Sequence, residues 1–343
     1  MESVFSVSFF AVLKLLLGVL VGCILDKTGI MPADARRSLS KIILWVMLPS
    51  MLITSLCKNI SIDNVREYTW VRLSAGVIAL VGFLFAQLLA RLFCVKEEQF
   101  RPCVAASCLG NASYIPLPLL GTICLTAPLF EANYVVFKDL SVLYVSVFLM
   151  LHSPLLWLFG FPYLSGKSIR EIKLKQLLSP PICASFIGWT IGLTPLRRLF
   201  VGAGAPLGVI IDTMKLLADA VFPCALLVMG GILADPPPKN EQIRWNTVTA
   251  MVITKLLLLP AFGIIFVTFL WKHSLIPQDG LCALVLMVEA AVPPANNLII
   301  MSQSLNKGES SMARLLIWAY MLAVPSLTIW IFFYLTLIQS WMK

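Results

Sequence analysis

Charge is scarce in this sequence. Asp, Glu, Lys and Arg make up 13% of the 343 residues, 59% are hydrophobic, and the mean hydropathy is +0.91. Soluble domains draw about a quarter of their residues from the charged set, so this scarcity excludes a soluble globular protein and indicates an all-α polytopic membrane protein. Histidine is scarcer still: His152 and His273 are the two present, and neither has a partner at metal-ligand spacing. Packing or interface positions are expected of both rather than catalysis. No C-x-x-C pair occurs among the nine cysteines, which are scattered and mostly lie within apolar stretches. That pattern excludes a disulfide framework or a metal knuckle and fits packing residues. No nucleotide-binding motif occurs either, so no cofactor is expected. The net charge of +9 is spread over many short loops instead of forming one patch or stripe, which argues against nucleic acid and for loops on the cytoplasmic side of a bilayer.

Long apolar runs are what the chain does have. The first, Val4 to Leu25, has the length of a full span and lacks the basic n-region and A-x-A site of a cleaved signal, so it is expected to be a retained helix. Windows of about twenty apolar residues predict ten spans, at 5–25, 39–57, 71–93, 102–125, 140–161, 176–194, 206–232, 246–270, 279–304 and 313–340. Fifteen Lys and Arg fall in or beside the first and every second loop after it, against eight at the termini and remaining loops. By the positive-inside rule both termini face the lumen or exterior. The tryptophans mostly fall near predicted span ends, as an interfacial belt would have them.

Two halves of the chain look related. "SKIILWVMLPSML" (Ser40 to Leu52) and "MKLLADAVFPCAL" (Met214 to Leu226) each carry a lysine, Lys41 or Lys215, eight residues before a proline, Pro49 or Pro223. Each stretch belongs to the second span of a five-span half, and the fourth span of each half has prolines in its middle. With an odd number of spans per half, the second copy enters the membrane the other way round, an inverted repeat typical of secondary transporters. The expected division is a first repeat over 1–161, a short cytoplasmic linker over 162–175 and a second repeat over 176–343.

The two fourth spans are interrupted at about mid-membrane depth. "CLGNASYIPLPLL" places Gly110, Asn111, Ser113, Pro116 and Pro118 in one, and "VEAAVPPANNLIIMSQ" places Pro293, Pro294, Asn296 and Asn297 in the other. A proline removes one amide donor and displaces the carbonyl four residues earlier. In hydrocarbon such a group is tolerated only where protein or a wet cavity lines it, so two breaks at one depth imply a shared polar cavity. Asparagine amides, with the positive end of each half-helix that follows, suit a small organic anion.

Charged residues inside spans form a second set. Lys14 lies about ten residues from either end of its span, roughly 15 Å at helical rise, so it faces protein or water. Asp212, Lys215 and Asp219 fall at i, i+3 and i+7 on one helix face. They read either as a structural ion cluster or as a cluster whose spare carboxylate pairs with Lys14 or takes part in proton coupling. Glu289, four residues before Pro293, would carry a coupling proton, balance a cation, or pair with a lysine such as Lys255. A rival reading, an intramembrane enzyme with Asp212 and Asp219 as an aspartyl pair, is disfavoured, because that dyad needs carboxylates on facing helices and these stand two turns apart on one helix with a lysine between.

The ordered blocks "ARRSLSKIILWVMLPSML", "GNASYIPLPLL", "GAPLGVIIDTMKLLADAVFPCALLVMGGILA", "PPANNLIIMSQ" and "WAYMLAVPSLTIW" resemble the auxin efflux carrier family, in particular its PIN-LIKES branch, over essentially the whole chain. The resemblance implies ten transmembrane helices in two inverted five-helix repeats, with scaffold and transport domains drawn from both and helices 4 and 9 unwinding and crossing at the substrate site. It implies an auxin-like anion, such as indole-3-acetic acid, as substrate and the endoplasmic reticulum membrane, ahead of the plasma membrane, as location. Carried over, the crossover positions are Asn111, Pro116, Pro293, Pro294 and Asn296. The segment 162–175 stands where the family typically has a long hydrophilic loop.

The expectation is therefore a secondary transporter of small organic anions working by alternating access, driven by membrane potential or an ion gradient, and not an enzyme. Its partners would be the anion, the lipid bilayer and, as the one assembly considered, a second copy in a homodimer. The alternatives are a sodium- or proton-coupled symporter of bile-acid-like carboxylates and a membrane receptor that binds without flux.

Overall fold

Apolar runs of this length satisfy their backbone in a bilayer as helix, and helix is what they form. The computed structural model describes residues 13, 17–60, 68–166, 180–202, 204–234, 243–305 and 308–342. Their helices are α1 (17–27), α2 (Ala33–Lys58), α3 (Thr69–Leu92), α4 (Glu97–Cys108), α5 (Pro116–Thr126), α6 (Tyr134–Ser165), α7 (Pro180–Leu193), α8 (Gly208–Ile232), α9 (Trp245–Lys272), α10 (Leu281–Ala291), α11 (Asn297–Leu305) and α12 (Glu309–Trp341). Six of them, α2, α3, α6, α8, α9 and α12, are long and apolar enough to cross a membrane. Among the described residues the β-structure is a single antiparallel bridge, Gly110 with Pro294.

The helices differ from the apolar windows in instructive ways. The windows 102–125 and 279–304 each hold two helices, α4 with α5 and α10 with α11, because proline and asparagine interrupt them. Helices α2 and α12 start six and four residues before their windows, since helix continues into polar turns: Asp34, Arg36 and Arg37 lie among the first five residues of α2. Helix α6 runs past the boundary expected at 161 and ends at Ser165, where Gly166 (φ +74°) supplies a left-handed cap that a side chain would disfavour.

Proline also shapes the interiors of three long helices. A π-helical stretch precedes Pro49 in α2 (Ile43–Met47), Pro162 in α6 (Leu156–Gly160) and Pro260 in α9 (Ile253–Leu258). Each proline leaves the carbonyl four residues back without its donor, and the wider turn makes room for the ring. In α9 the orphaned carbonyl is that of Leu256. Trp330 Nε1 and Ser326 Oγ of α12 donate to it at 2.8 and 3.0 Å, so the break in one helix is repaired by its neighbour.

Small residues set the closest approaches. A Cβ on Gly22 would lie 2.3 Å from the Leu227 carbonyl oxygen, and one on Gly230 would lie 2.0 Å from that of Val19. Helices α1 and α8 thus cross backbone against backbone, as Gly18-x-x-x-Gly22 allows. The end of α1 is tied down by Arg36, which donates to Asp26 and, at 2.9 Å, to the Gly231 carbonyl. Helix α10 occupies the centre: every residue from Leu281 to Ala291 is buried. All nine cysteines are free thiols, five of them buried.

Candidate functional site

Helices α4 and α10 both stop in the interior, at Cys108 and Ala291, and the segments that follow them meet. Asn111 N donates to Pro293 O at 2.8 Å, and Ala295 N donates to Leu109 O at 3.0 Å. The two unwound segments thereby satisfy one another as a short antiparallel pair, which meets the requirement that a break in a helix at this depth find internal partners. Pro293 accepts through its carbonyl, and neither Pro293 nor Pro294 has an N–H to strand.

Beside this pair lies a cavity of about 510 Å³ including the open space at its mouth. The residues of the first unwound segment, Gly110 to Tyr114, line it together with Ala295, Asn296 and Asn297 of the second. Helix α2 adds Leu44 and Leu48, and α6 adds Leu149, His152, Ser153, Leu156 and Trp157. One wall is therefore polar and the opposite one is aliphatic and aromatic. Pro116, Pro118, Pro293 and Pro294 are buried and shape the breaks without lining the cavity.

The three asparagines play unequal parts. Asn111 is 3% exposed; its Oδ1 accepts from Tyr114 N, three residues on, at 3.0 Å, and its Nδ2 donates to Tyr320 Oη at 2.7 Å. Tyr320 Oη also lies 2.9 Å from Pro294 O and 2.8 Å from Asn296 Oδ1. One hydroxyl from α12 thus joins both unwound segments. Asn296 and Asn297 are half-buried on the cavity side. The half-helices are unequal as well. Pro116 and Pro118 remove two of the first amides of α5, and Leu117 N is engaged by Ser113 O at 3.4 Å; in α11, Leu298 N and Ile299 N are engaged by Ala295 O and Asn296 O at 3.1 Å, so amide donors for an anion come from Asn296 and Asn297.

Behind the bridge sit two buried ionisable side chains. Lys255, in the π-helical stretch of α9, is fully buried, and Glu289 of α10 is 2% exposed. The two are electrostatic neighbours, while Lys255 Nζ and both Glu289 carboxylate oxygens have no hydrogen-bond partner among the described residues. A Cβ on Gly110 would lie 2.9 Å from Lys255 Nζ and 3.2 Å from Val292 Cγ2, so the flexible end of Lys255 rests close against the first unwound segment. On the opposite side of that glycine, His152 Nε2 stands 2.9 Å from Gly110 O.

The remaining charged positions lie elsewhere. Asp212, Lys215 and Asp219 share one face of α8 and are all exposed; no ion pair joins them and none lines the cavity. Lys14 is outside the described residues. Tyr320, Lys255, Tyr114, His152 and Trp157 were not marked by the sequence as site residues. Lys255 had a signal, a lysine inside an apolar span, whereas a tyrosine five residues before Pro325 in an aromatic-rich helix carries none.

Comparison with known proteins places this geometry in context. A family model described as membrane transport protein matches residues 7–171 and 165–331. Protein PIN-LIKES 7 of Arabidopsis thaliana is 23% identical, with 97% of this chain and 98% of the relative covered. Protein PIN-LIKES 1 of the same plant is 26% identical over 97% of this chain and 80% of the relative. An uncharacterized transporter of Schizosaccharomyces pombe is 20% identical over 96% and 95%.

Proposed function

This chain belongs to the auxin efflux carrier family of membrane transport proteins, and from that premise we propose that it carries small organic anions of auxin-like chemistry across a membrane by alternating access. The observation that carries the proposal is the cavity at the paired breaks, with amide groups on one wall and leucine and tryptophan on the other. A carboxylate fits the amide wall formed by Asn296 and Asn297 at the start of α11, where the helix dipole favours negative charge. The ring of an arylacetic acid fits the wall of Leu44, Leu48, Leu149, Leu156 and Trp157. Lys255, behind Gly110, adds positive potential without reaching the cavity itself.

The same reading takes the chain as ten crossings in two oppositely inserted halves, with α4–α5 and α10–α11 as the broken members. The antiparallel pairing of the two breaks supports it, since it is the arrangement that oppositely directed copies of one unit produce. An elevator-type movement would carry both breaks and their cavity past α2. Asp212, Lys215, Asp219 and Lys14 are assigned a supporting role in charge balance, Glu289 a role in coupling, and an endoplasmic reticulum location goes with the PIN-LIKES relatives.

The test is uptake of radiolabelled indole-3-acetic acid into liposomes holding the purified protein, with imposed potential or sodium gradients. A Pro293→Ala/Pro294→Ala double variant is the control. Saturable uptake that the variant loses is the expected result. Uptake that follows sodium at fixed potential would replace this reading with a sodium-coupled symporter, and saturable binding without flux would replace it with a receptor.

A further inference from the structure

We propose that Ser153 sets ring selectivity: its hydroxyl accepts a hydrogen bond from the N–H of a bound aromatic ring, so that the transport proposed above, on which this inference rests, favours indole-type acids over carbocyclic acids of similar size. The apolar wall of the cavity is built largely by one face of α6. Leu149, His152, Ser153, Leu156 and Trp157 line it, and their spacing is that of a single helical stripe. Ser153 lies at the middle of the stripe, one turn from Leu149 on one side and one turn from Trp157 on the other. The neighbouring imidazole is committed elsewhere, since His152 Nε2 stands 2.9 Å from Gly110 O.

The Ser153 hydroxyl differs from the other serine hydroxyls of its helix. Ser141, Ser146 and Ser165 turn theirs back onto α6, donating to the carbonyls of Lys138, Val142 and Pro162 at 2.7, 2.6 and 2.9 Å. Such back-bonding satisfies a hydroxyl on a helix without any outside partner. Ser153 makes no hydrogen bond among the described residues. It is half-buried in the lining, and its backbone is covered by the helix, so the exposed part is the short side chain that ends at Oγ. Unlike the hydroxyl of Ser302, which protein encloses, this one is open to an incoming group.

A hydroxyl oxygen offers two lone pairs, whereas the leucines of this wall offer none and the Trp157 indole can only donate. Ser153 is thus the side-chain acceptor for a ring lying there. With the carboxylate on the amides of Asn296 and Asn297, the ring of an arylacetic acid falls on this wall. An indole ring has apolar faces and one N–H in its plane, which pairs with Oγ. A naphthalene ring fills similar space but covers the hydroxyl without pairing it. Leaving a polar group of the site unpaired is how a site rejects an analogue of nearly the same shape.

The experiment uses full-length protein in liposomes, with unlabelled acids competing against uptake of radiolabelled indole-3-acetic acid and entry into protein-free liposomes subtracted. The competitors are indole-3-acetic acid itself, its ring N-methyl derivative and naphthaleneacetic acid. Wild type is expected to prefer the parent acid about fivefold over both, the discrimination that one neutral hydrogen bond gives. Ser153→Ala is expected to carry the label still, to bind the parent acid more weakly by about that factor, and to rank the competitors nearly equally. Ser146→Ala removes a hydroxyl that bonds back to Val142 O and lies outside the lining. It is expected to keep the wild-type preference, which separates a loss on the wall from a general loosening of α6. Equal competition by all three acids in wild type would overturn the ring selectivity and leave the anion carrier standing. A wild-type preference retained in Ser153→Ala would overturn the assignment to this residue. If wild type moves no organic anion, the carrier reading fails and this inference with it.

Discussion

Replacing Tyr320 with phenylalanine removes one oxygen and leaves the packing of the ring intact. That oxygen is where the two broken helices are tied together, with Asn111 Nδ2, Asn296 Oδ1 and Pro294 O at 2.7, 2.8 and 2.9 Å. Interhelical hydrogen bonds in membranes are worth about 0.6 kcal/mol each on average, so the bond accepted from Asn111 and the one hydrogen shared between Asn296 Oδ1 and Pro294 O contribute about 1 kcal/mol. The Asn111 amide is then left buried without its acceptor, which adds about 1–3 kcal/mol. A total near 3 kcal/mol corresponds to a melting point lower by roughly 4 °C for a chain of this size. The melt can be followed in detergent with a thiol-reactive dye, since Cys57, Cys103, Cys108, Cys124 and Cys282 are buried. Tyr334→Phe is the matched control: its hydroxyl makes one long contact, 3.3 Å to Pro260 O, and its loss should cost under about 1 kcal/mol. Tyr320→Phe should also lose uptake, because the two segments that form the cavity no longer hold a fixed relation. A variant that melts and transports like wild type would show that the hydroxyl does not join the breaks.

Asn111→Ala and Asn296→Ala should insert normally and lose most uptake; wild-type uptake by both would move the substrate site away from the breaks. Gly110→Ala should reduce uptake only modestly, because its Cβ, 2.9 Å from Lys255 Nζ and 3.2 Å from Val292 Cγ2, is accommodated by movement of those side chains, while Gly121→Ala, with nothing within 4 Å, should behave as wild type; complete loss of uptake in Gly110→Ala would refute this accommodation. Trp330→Phe removes one of the two donors to Leu256 O, leaving Ser326 Oγ, and should lower the melting point, but less so in a Pro260→Ala background, where the residue at 260 regains its own N–H for that carbonyl; an additive double variant would refute the repair. Glycosylation acceptor sites fused to either terminus should be modified in microsomes, and their protection would reverse the orientation drawn from the loop lysines and arginines.

The breaks were legible in the sequence because proline and asparagine are conspicuous in an apolar background. Their pairing was not. Leu109, Gly110 and Asn111 carry no mark that directs them to Pro293, Pro294 and Ala295, about half the chain away, since backbone hydrogen bonds are blind to side-chain identity. The placement of charge was legible in part: Asp212, Lys215 and Asp219 do share a helix face, as their spacing requires, but spacing does not say what that face meets, and here it meets no other part of the described chain. His152 was assigned to packing because one histidine in an apolar helix has no periodic signal. Its proximity to Gly110 comes from the crossing of α6 with the unwound segment, a tertiary fact.

The pairing of the breaks constrains how such a protein can move. Pulling the two segments apart by more than hydrogen-bond length would strand Asn111 N, Pro293 O, Ala295 N and Leu109 O in a setting with little water, and each stranded group costs several kcal/mol. Movement that separates them is therefore disfavoured against movement that carries them as one body, with Tyr320 of α12 attached to both. The facing wall is different in kind. Leu44 and Leu48 of α2 meet the cavity through apolar contacts alone, and such contacts can be exchanged for other apolar contacts at small cost. The slip plane then falls between α2 and the paired breaks. Under the transport reading, a substrate with its carboxylate on the amides and its ring on the leucines spans that plane, with the polar end held on the body that moves and the apolar end against the wall it slides past.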